Sequence, residues 1–152
     1  MIKGKLVEAH IFRIVNNEPE FLVLKRSPEE IYPDLWQMVT GSVRPKEKAY
    51  ETAVREIKEE TNLTPVNLWV VPNINSFYLP EDDSVHFVPV FAAEIKGKQA
   101  VKISSEHVEY MWVNKDEACG LLAWEGQRKS VEIIHRYFTG NDPNYKFEKI
   151  KL

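Results

Sequence analysis

At 152 residues the chain is long enough for one domain with a sizeable core and short for two. Its 43% hydrophobic, 11% aromatic and 28% charged residues are those of an ordinary soluble globular protein rather than a disordered or membrane one, and a net charge of −3 leaves no broad basic field for coating nucleic acid. The single cysteine, Cys119, excludes an internal disulfide; no apolar run nears the roughly 20 residues of a membrane span, and the N-terminal MIKGKLVEAHIF lacks the features of a secretion signal, so a reducing cytoplasm is the expected setting.

β-Branched and aromatic residues from Leu6 to Val15 and from Phe21 to Leu24, separated by Asn16-Asn17-Glu18-Pro19, predict a hairpin. A further strand is predicted from Trp36 to Thr40, ended by Gly41. From Glu47 to Thr61 the spacing of Ala49, Ala53 and Ile57 predicts an amphipathic helix. Strands are predicted over Asn67 to Tyr78, Val85 to Ile95 and Val108 to Val113, with turns at Pro80-Glu81-Asp82-Asp83 and Lys96-Gly97-Lys98. Asn114-Lys-Asp-Glu117 is a capping-box pattern that opens a short helix, and a second helix runs from Gly126 to Phe138 with Gly140 as its stop. The tail from about Asn141 is polar and expected to be loosely held. No repeat or linker divides the chain, so residues 1–152 are read as a single domain, a mixed sheet flanked by helices.

The helix from Glu47 carries the chemistry. Glu56 neighbours Glu59 and Glu60 at i+3 and i+4, and each like-charge pair costs about 0.2 to 0.5 kcal/mol on an isolated helix. Glu56 and Glu60 lie at the edge of the apolar stripe, near the sheet, where a divalent cation would offset their repulsion. A bare Glu-x-x-Glu-Glu is more often a solvated face, so its context decides. Gly41, Glu47, Arg55, Glu56, Ile57, Glu59, Glu60 and Leu63 match eight of the nine defined positions of G-x5-E-x7-R-E-U-x-E-E-x-G-U, where U is apolar. The sequence thereby resembles the Nudix family. The one departure, Asn62 in place of glycine, puts the best non-glycine residue at a left-handed helix stop.

The resemblance implies an α/β/α sandwich and hydrolysis of a nucleoside diphosphate linked to another group, with Mg²⁺ or Mn²⁺. It also implies that Glu56, Glu59 and Glu60 are ligands, one of them able to act as base. Gly41 lets backbone approach the metal or a phosphate, while Glu47 and Arg55 buttress the loop and orient the ligands. Hard cations with oxygen ligands fit this chemistry, since they neutralise a polyanionic substrate and acidify water.

Two more stretches, LWQMVTGSV at Leu35 to Val43 and SEHVEYMWV at Ser105 to Val113, resemble the dihydroneopterin triphosphate pyrophosphohydrolase branch of the family. Glu106, at the entrance to a strand, is the candidate to complete the catalytic site, with Glu109 second and pointing to the opposite face; His107 is read as structural. Lys25 and Arg26 follow a strand and are candidates for a terminal phosphate, and Trp36, Phe77, Tyr78 and Phe87 are candidates to stack on a pterin or purine. The expected activity is cleavage of a nucleoside triphosphate-like substrate, dihydroneopterin triphosphate among the candidates, with release of pyrophosphate. Dinucleoside polyphosphates, ADP-ribose and oxidised nucleotides are the alternative substrates, and a nucleotide sensor without turnover is the alternative function. Neither nucleic acid nor membrane is an expected partner, and the sequence does not set an oligomeric state.

Overall fold

Asn16 and Asn17 join the first long strands, both at positive φ (51° and 63°), the pair of left-handed residues that a two-residue hairpin turn requires. The computed structural model describes residues 2–140 and 146–152. After β1 (Ile2–Lys3), the hairpin is made of β2 (Leu6–Val15) and β3 (Glu18–Arg26). It is tighter than expected, because Glu18 and Pro19 already pair with Val15 and Ile14.

The strand expected from Trp36 to Thr40 is two strands. In β4 (Trp36–Gln37) the partner is β3, and in β5 (Val39–Ser42) it is β2, so the chain changes neighbours at Met38. There follow α1 (Ala49–Thr61), β6 (Asn67–Leu79), a 3-10 turn (Pro80–Asp82), β7 (Ser84–Glu94) and β8 (His107–Val113). The chain then forms α2 (Lys115–Leu121), α3 (Glu125–Phe138) and β9 (Glu148–Ile150). The α2 capping box is formed: Asn114 Oδ1 accepts from Glu117 N at 2.9 Å and Glu117 Oε1 from Asn114 N at 3.2 Å.

The mixed sheet runs β4-β3-β2-β7-β6-β9, with β8 on β3, β5 on β2 and β1 on β7. β2 is its centre, parallel to β7 and antiparallel to β3 and β5, which share its other edge. Alternation along β2 sends Val7, Ala9 and Ile11 to a core under α1, with Leu22, Leu24, Ala53 and Ile57. Phe12 goes to the opposite core, where Phe21, Val23, Trp69, Val131 and Ile134 pack with α2 and α3. The result is the α/β/α sandwich, with helices on both faces of one sheet.

The loosely held tail needs correction. Asn141–Tyr145 lie outside the described residues, but beyond them Phe147 is buried, stacked on Tyr137 at 4.1 Å, and β9 pairs with β6. One aromatic side chain and three paired residues are too short a signal for composition to reveal.

α1 ends at Asn62, at φ 64° and ψ 9°, whose N–H returns to Lys58 O at 2.9 Å. Asn62→Gly should therefore leave stability unchanged or slightly raised. Asn62→Val should cost about 1–2 kcal/mol, the penalty of a side chain at a left-handed position. Thermal unfolding of both variants checks this, and equal midpoints would refute the left-handed stop.

Candidate active site

The Nudix-box residues meet where the loop between β5 and α1 folds back on the first turns of the helix. Glu47 ends that loop. Its Oε1 accepts Arg55 Nε at 2.7 Å, its Oε2 accepts Arg55 Nη2 at 2.9 Å and Thr52 Oγ1 at 2.6 Å, and Oε2 also takes Arg44 N at 3.1 Å. This forked pair, foremost the Arg55 hydrogen bonds, pulls the Glu47 carboxyl down to about 2 and raises the arginine further. Arg55 reaches onward, with Nη1 donating to Glu56 Oε1 at 2.7 Å and Glu59 Oε2 at 3.1 Å, and Nη2 to Ser42 O at 3.0 Å. Every nitrogen of the guanidinium is thus engaged by protein. Arg55 braces Glu56 and Glu59, and Glu47 holds the brace.

Gly41 lies directly against Glu56. A Cβ at position 41 would stand 2.2 Å from Glu56 Cγ and 2.5 Å from its Oε1, so only glycine lets β5 and the carboxylate share this space. The left-handed region is not involved, since the positive-φ glycines among the described residues are Gly97 and Gly140.

Glu60 is the most confined of the three helix carboxylates, 4% exposed, and its Oε2 has no hydrogen-bond partner. Burial, then the charges of Glu56 and Glu106, and a hydrogen bond with Glu106 raise its pKa to about 9. Glu56 is raised in the same direction, first by burial, with the charges of Glu59 and Glu106 adding to it and Arg55 opposing. Glu59 is half-exposed and also receives Arg44 Nη2 at 3.3 Å.

Glu106 therefore meets the helix carboxylates, although it comes from the start of β8. Its own carbonyl accepts Ser27 N at 2.9 Å, which ties it to the end of β3. Glu109 pairs across to Lys25, one position along from Leu24 of the α1 core, so alternation puts it on the sheet's other side. A register irregularity between Lys25 and Arg26 separates the two expected phosphate contacts. Lys25 pairs with Trp36 and Glu109, away from the cluster. Arg26 has Nε on Ile31 O at 2.6 Å, and its charge lowers Glu60 and His107. His107 is buried, which depresses its imidazole, and Gln37 Nε2 lies 3.2 Å from its Nε2.

The aromatic candidates are dispersed. Trp36 packs against the core under α2 and α3, Phe77 stacks on His86 at 5.1 Å, and Tyr78 donates to Asp83 Oδ1 at 2.9 Å in the β6–β7 hairpin, where Phe87 is also exposed. Sequence reasoning missed another exposed pair. Tyr32 and Trp124 are exposed and in edge contact at 5.3 Å. Tyr32 stands at φ 56° in the loop that Arg26 fastens through Ile31 O, Asp34 N and Leu35 O. Neither residue belongs to a periodic segment, so no pattern marked them. Arg44 was also missed, lying in an undefined position of the box.

A converging set of carboxylates with an unpartnered buried oxygen suits a hard cation, whose charge would reverse the shifts of Glu56 and Glu60. Among the described residues no three acidic, histidine or cysteine side chains stand ready as a coordination cage. Arg55 occupies Glu56 and Glu59 in this arrangement. No helix among the described residues is long and apolar enough to cross a membrane.

Comparison with known proteins agrees with this geometry. The family described as NUDIX domain matches residues 4–137. The asymmetrical bis(5'-nucleosyl)-tetraphosphatase of Rattus norvegicus is 30% identical, over 82% of this chain and 84% of that protein. The dihydroneopterin triphosphate diphosphatase of Haemophilus influenzae is 26% identical, over 76% of this chain and 77% of that protein. The solved Ap4A hydrolase of C. elegans, a binary complex, superposes with a TM-score of 0.74 at 23% identity, covering 90% of this chain and 98% of that one, a likeness of fold. The match runs from β2 into α3, through every element that builds the carboxylate cluster, and the chain belongs to the Nudix family, hydrolases of nucleotide-like substrates.

Proposed function

We propose that this chain hydrolyses a phosphoanhydride bond in a nucleoside triphosphate-like substrate, dihydroneopterin triphosphate among the candidates, and releases pyrophosphate. The observation that carries the reading is the meeting of Glu56, Glu60 and Glu106 around an unpartnered buried oxygen. Enzymes of this family generally use divalent metal ions. Here Glu56, Glu59 and Glu60 would hold Mg²⁺ or Mn²⁺, which when bound would neutralise phosphate charge and acidify water. Glu106, exposed and outside the arginine brace, would take a proton from the attacking water. Arg26 offers positive charge beside Glu60 for a phosphate. The exposed rings of Tyr32 and Trp124 offer a platform for the substrate's base. A complete carboxylate set favours turnover over a nucleotide sensor, which has no use for it. The lone thiol of Cys119 suits a reducing cytoplasm.

A second reading, cleavage of a dinucleoside polyphosphate, is favoured by the likeness to the rat tetraphosphatase. Both are tested by assaying dihydroneopterin triphosphate, nucleoside triphosphates, diadenosine tetraphosphate and ADP-ribose with Mg²⁺ and resolving the products. Pyrophosphate from a triphosphate supports the first reading, and a nucleoside triphosphate from the tetraphosphate supports the second. No turnover of any of them would refute both.

Glu106→Gln should lower kcat by roughly 100-fold, within the range that general acid–base catalysis contributes, and change its dependence on pH or Mg²⁺, whereas Glu109→Gln should leave kcat within about twofold because its side chain faces away. Steady-state kinetics of both variants across pH and Mg²⁺ separates them, and a loss confined to the Glu109 variant would reverse the assignment. Trp124→Ala should raise KM about threefold to tenfold, the worth of one aromatic stack, with kcat kept. An unchanged KM would remove Trp124 from the substrate platform.

A further inference from the structure

Away from the carboxylate site, the face of β2 under α3 buries a polar group that the chemistry above does not use. Glu8, His10 and Gln127 are 3%, 0% and 2% exposed. The Glu8 carboxylate collects three donors at 2.9 Å each: Gln127 Nε2 on Oε1, and Asn75 Nδ2 and His10 Nε2 on Oε2. With its nitrogen given to Glu8, Gln127 turns its oxygen towards the sheet, where it accepts Met38 N at 3.1 Å. Gly126 makes the approach of α3 possible, since a Cβ there would lie 2.3 Å from Asn75 Oδ1.

Met38 is where the chain passes from pairing with β3 to pairing with β2. One residue earlier, Gln37 donates from Nε2 to His107 Nε2 at 3.2 Å, and His107 directly follows Glu106. Three residues later, Gly41 rests on Glu56. Met38 thus stands between the two strand segments that hold opposite sides of the carboxylate cluster. A hydrocarbon contact could fill the same space without directing the Met38 N–H, whereas a fully paired amide and carboxylate allow one arrangement.

We infer that Glu8 and Gln127 are positioning residues for the cluster: by fixing Met38 they set, through Gln37 and His107 on one side and Gly41 on the other, the spacing of Glu106 from Glu56 and Glu60. The inference rests on the metal-dependent reading of that cluster. It assigns to α3, which contributes no carboxylate to the site, a share in how tightly the site holds a cation.

Two variants test it. Gln127→Met keeps the side chain's length and removes both hydrogen bonds. The exchange of Glu8→Gln together with Gln127→Glu keeps all of them with roles reversed: the carboxylate at 127 accepts from Met38 and from the amide at 8, whose oxygen accepts from Asn75 and His10. Mn²⁺ affinity of the substrate-free protein, read by electron paramagnetic resonance, is measured with thermal melting, kcat and KM. Gln127→Met should fold, lose about tenfold in Mn²⁺ affinity and in kcat, the size expected for groups that orient metal ligands, and keep KM within about twofold. The double exchange should restore Mn²⁺ affinity to within about threefold of the original. Unaltered Mn²⁺ affinity in a folded Gln127→Met variant overturns the inference, as does a folded double exchange that stays at the single variant's affinity. If Gln127→Met does not fold, Gln37→Met cuts the same chain at its site end and is judged by the same loss or absence of loss in Mn²⁺ affinity. Failure of the unsubstituted protein to bind Mn²⁺ would remove the cation site and the inference together, a result distinct from the others.

Discussion

Glu60→Gln is expected to abolish turnover, by roughly 100-fold or more, while raising the melting temperature of the metal-free protein at neutral pH. The first effect follows from removing the charge of a carboxylate that would hold the cation, whose stabilisation of phosphate charge is worth several kcal/mol. The second follows from the folded-state pKa of about 9 against an ordinary value of 4.5. A carboxyl raised in this way holds its proton more tightly folded than unfolded. Its contribution to stability is fully present below about pH 4.5 and is lost progressively as pH rises towards 9. Glutamine has the shape of the neutral acid at every pH, so the variant's advantage should grow from pH 5 to pH 9. Glu47 runs in the opposite sense: its pKa is lowered to about 2, so its contribution is present above the ordinary 4.5 and lost as pH falls towards 2, outside this window. Melting with EDTA across pH 5 to 9 reads the effect. Parallel curves for the two proteins would show that Glu60 does not carry a strained charge.

Gly41→Ala is expected to cost about 10–100-fold in kcat, as for loss of a group that orients metal ligands, and about 1–3 kcal/mol of stability, the usual cost of overpacking. The added methyl would meet Glu56 Cγ, Cδ and Oε1 at 2.2, 2.3 and 2.5 Å, so either β5 or the carboxylate must move. Gly97→Ala is the control. Gly97 stands at φ 75° with nothing within 4 Å of an added Cβ, so its replacement strains the backbone and should lower the melting point without lowering kcat. Equal kinetics for the two variants would mean that close packing on Glu56 is not what Gly41 provides.

The helix carboxylates were legible because their meaning depends on spacing along one element, and α1 preserves it. Glu106 was legible through a short motif at a strand entrance. What sequence could not supply was the contact between them, which needs β8 laid on β3 and β3 on β2. Arg55 shows the same limit in another way: its buttressing role followed from its box position, but the partners it braces, Ser42 and Glu59 beside Glu47, are set by the folded loop. Lys25 and Arg26, adjacent in sequence, were grouped as phosphate contacts, and an irregularity in β-pairing parts them. The division of one expected strand into β4 and β5 was likewise invisible, because it depends on two different neighbours, β3 and β2, and the partner of the Met38 N–H at the break, Gln127, lies 89 residues away.

The most direct measurement of the central claim is turnover of the substrate found by the product-resolved panel, titrated with Mg²⁺ for the unsubstituted protein and for Glu60→Gln. Turnover that rises from a negligible level without Mg²⁺ to saturation, and that the variant fails to recover at any Mg²⁺ concentration, is the expected result. Turnover that persists in EDTA, or a Glu60→Gln variant that reaches the unsubstituted rate at saturating Mg²⁺, would contradict the carboxylate cluster as the site of hydrolysis.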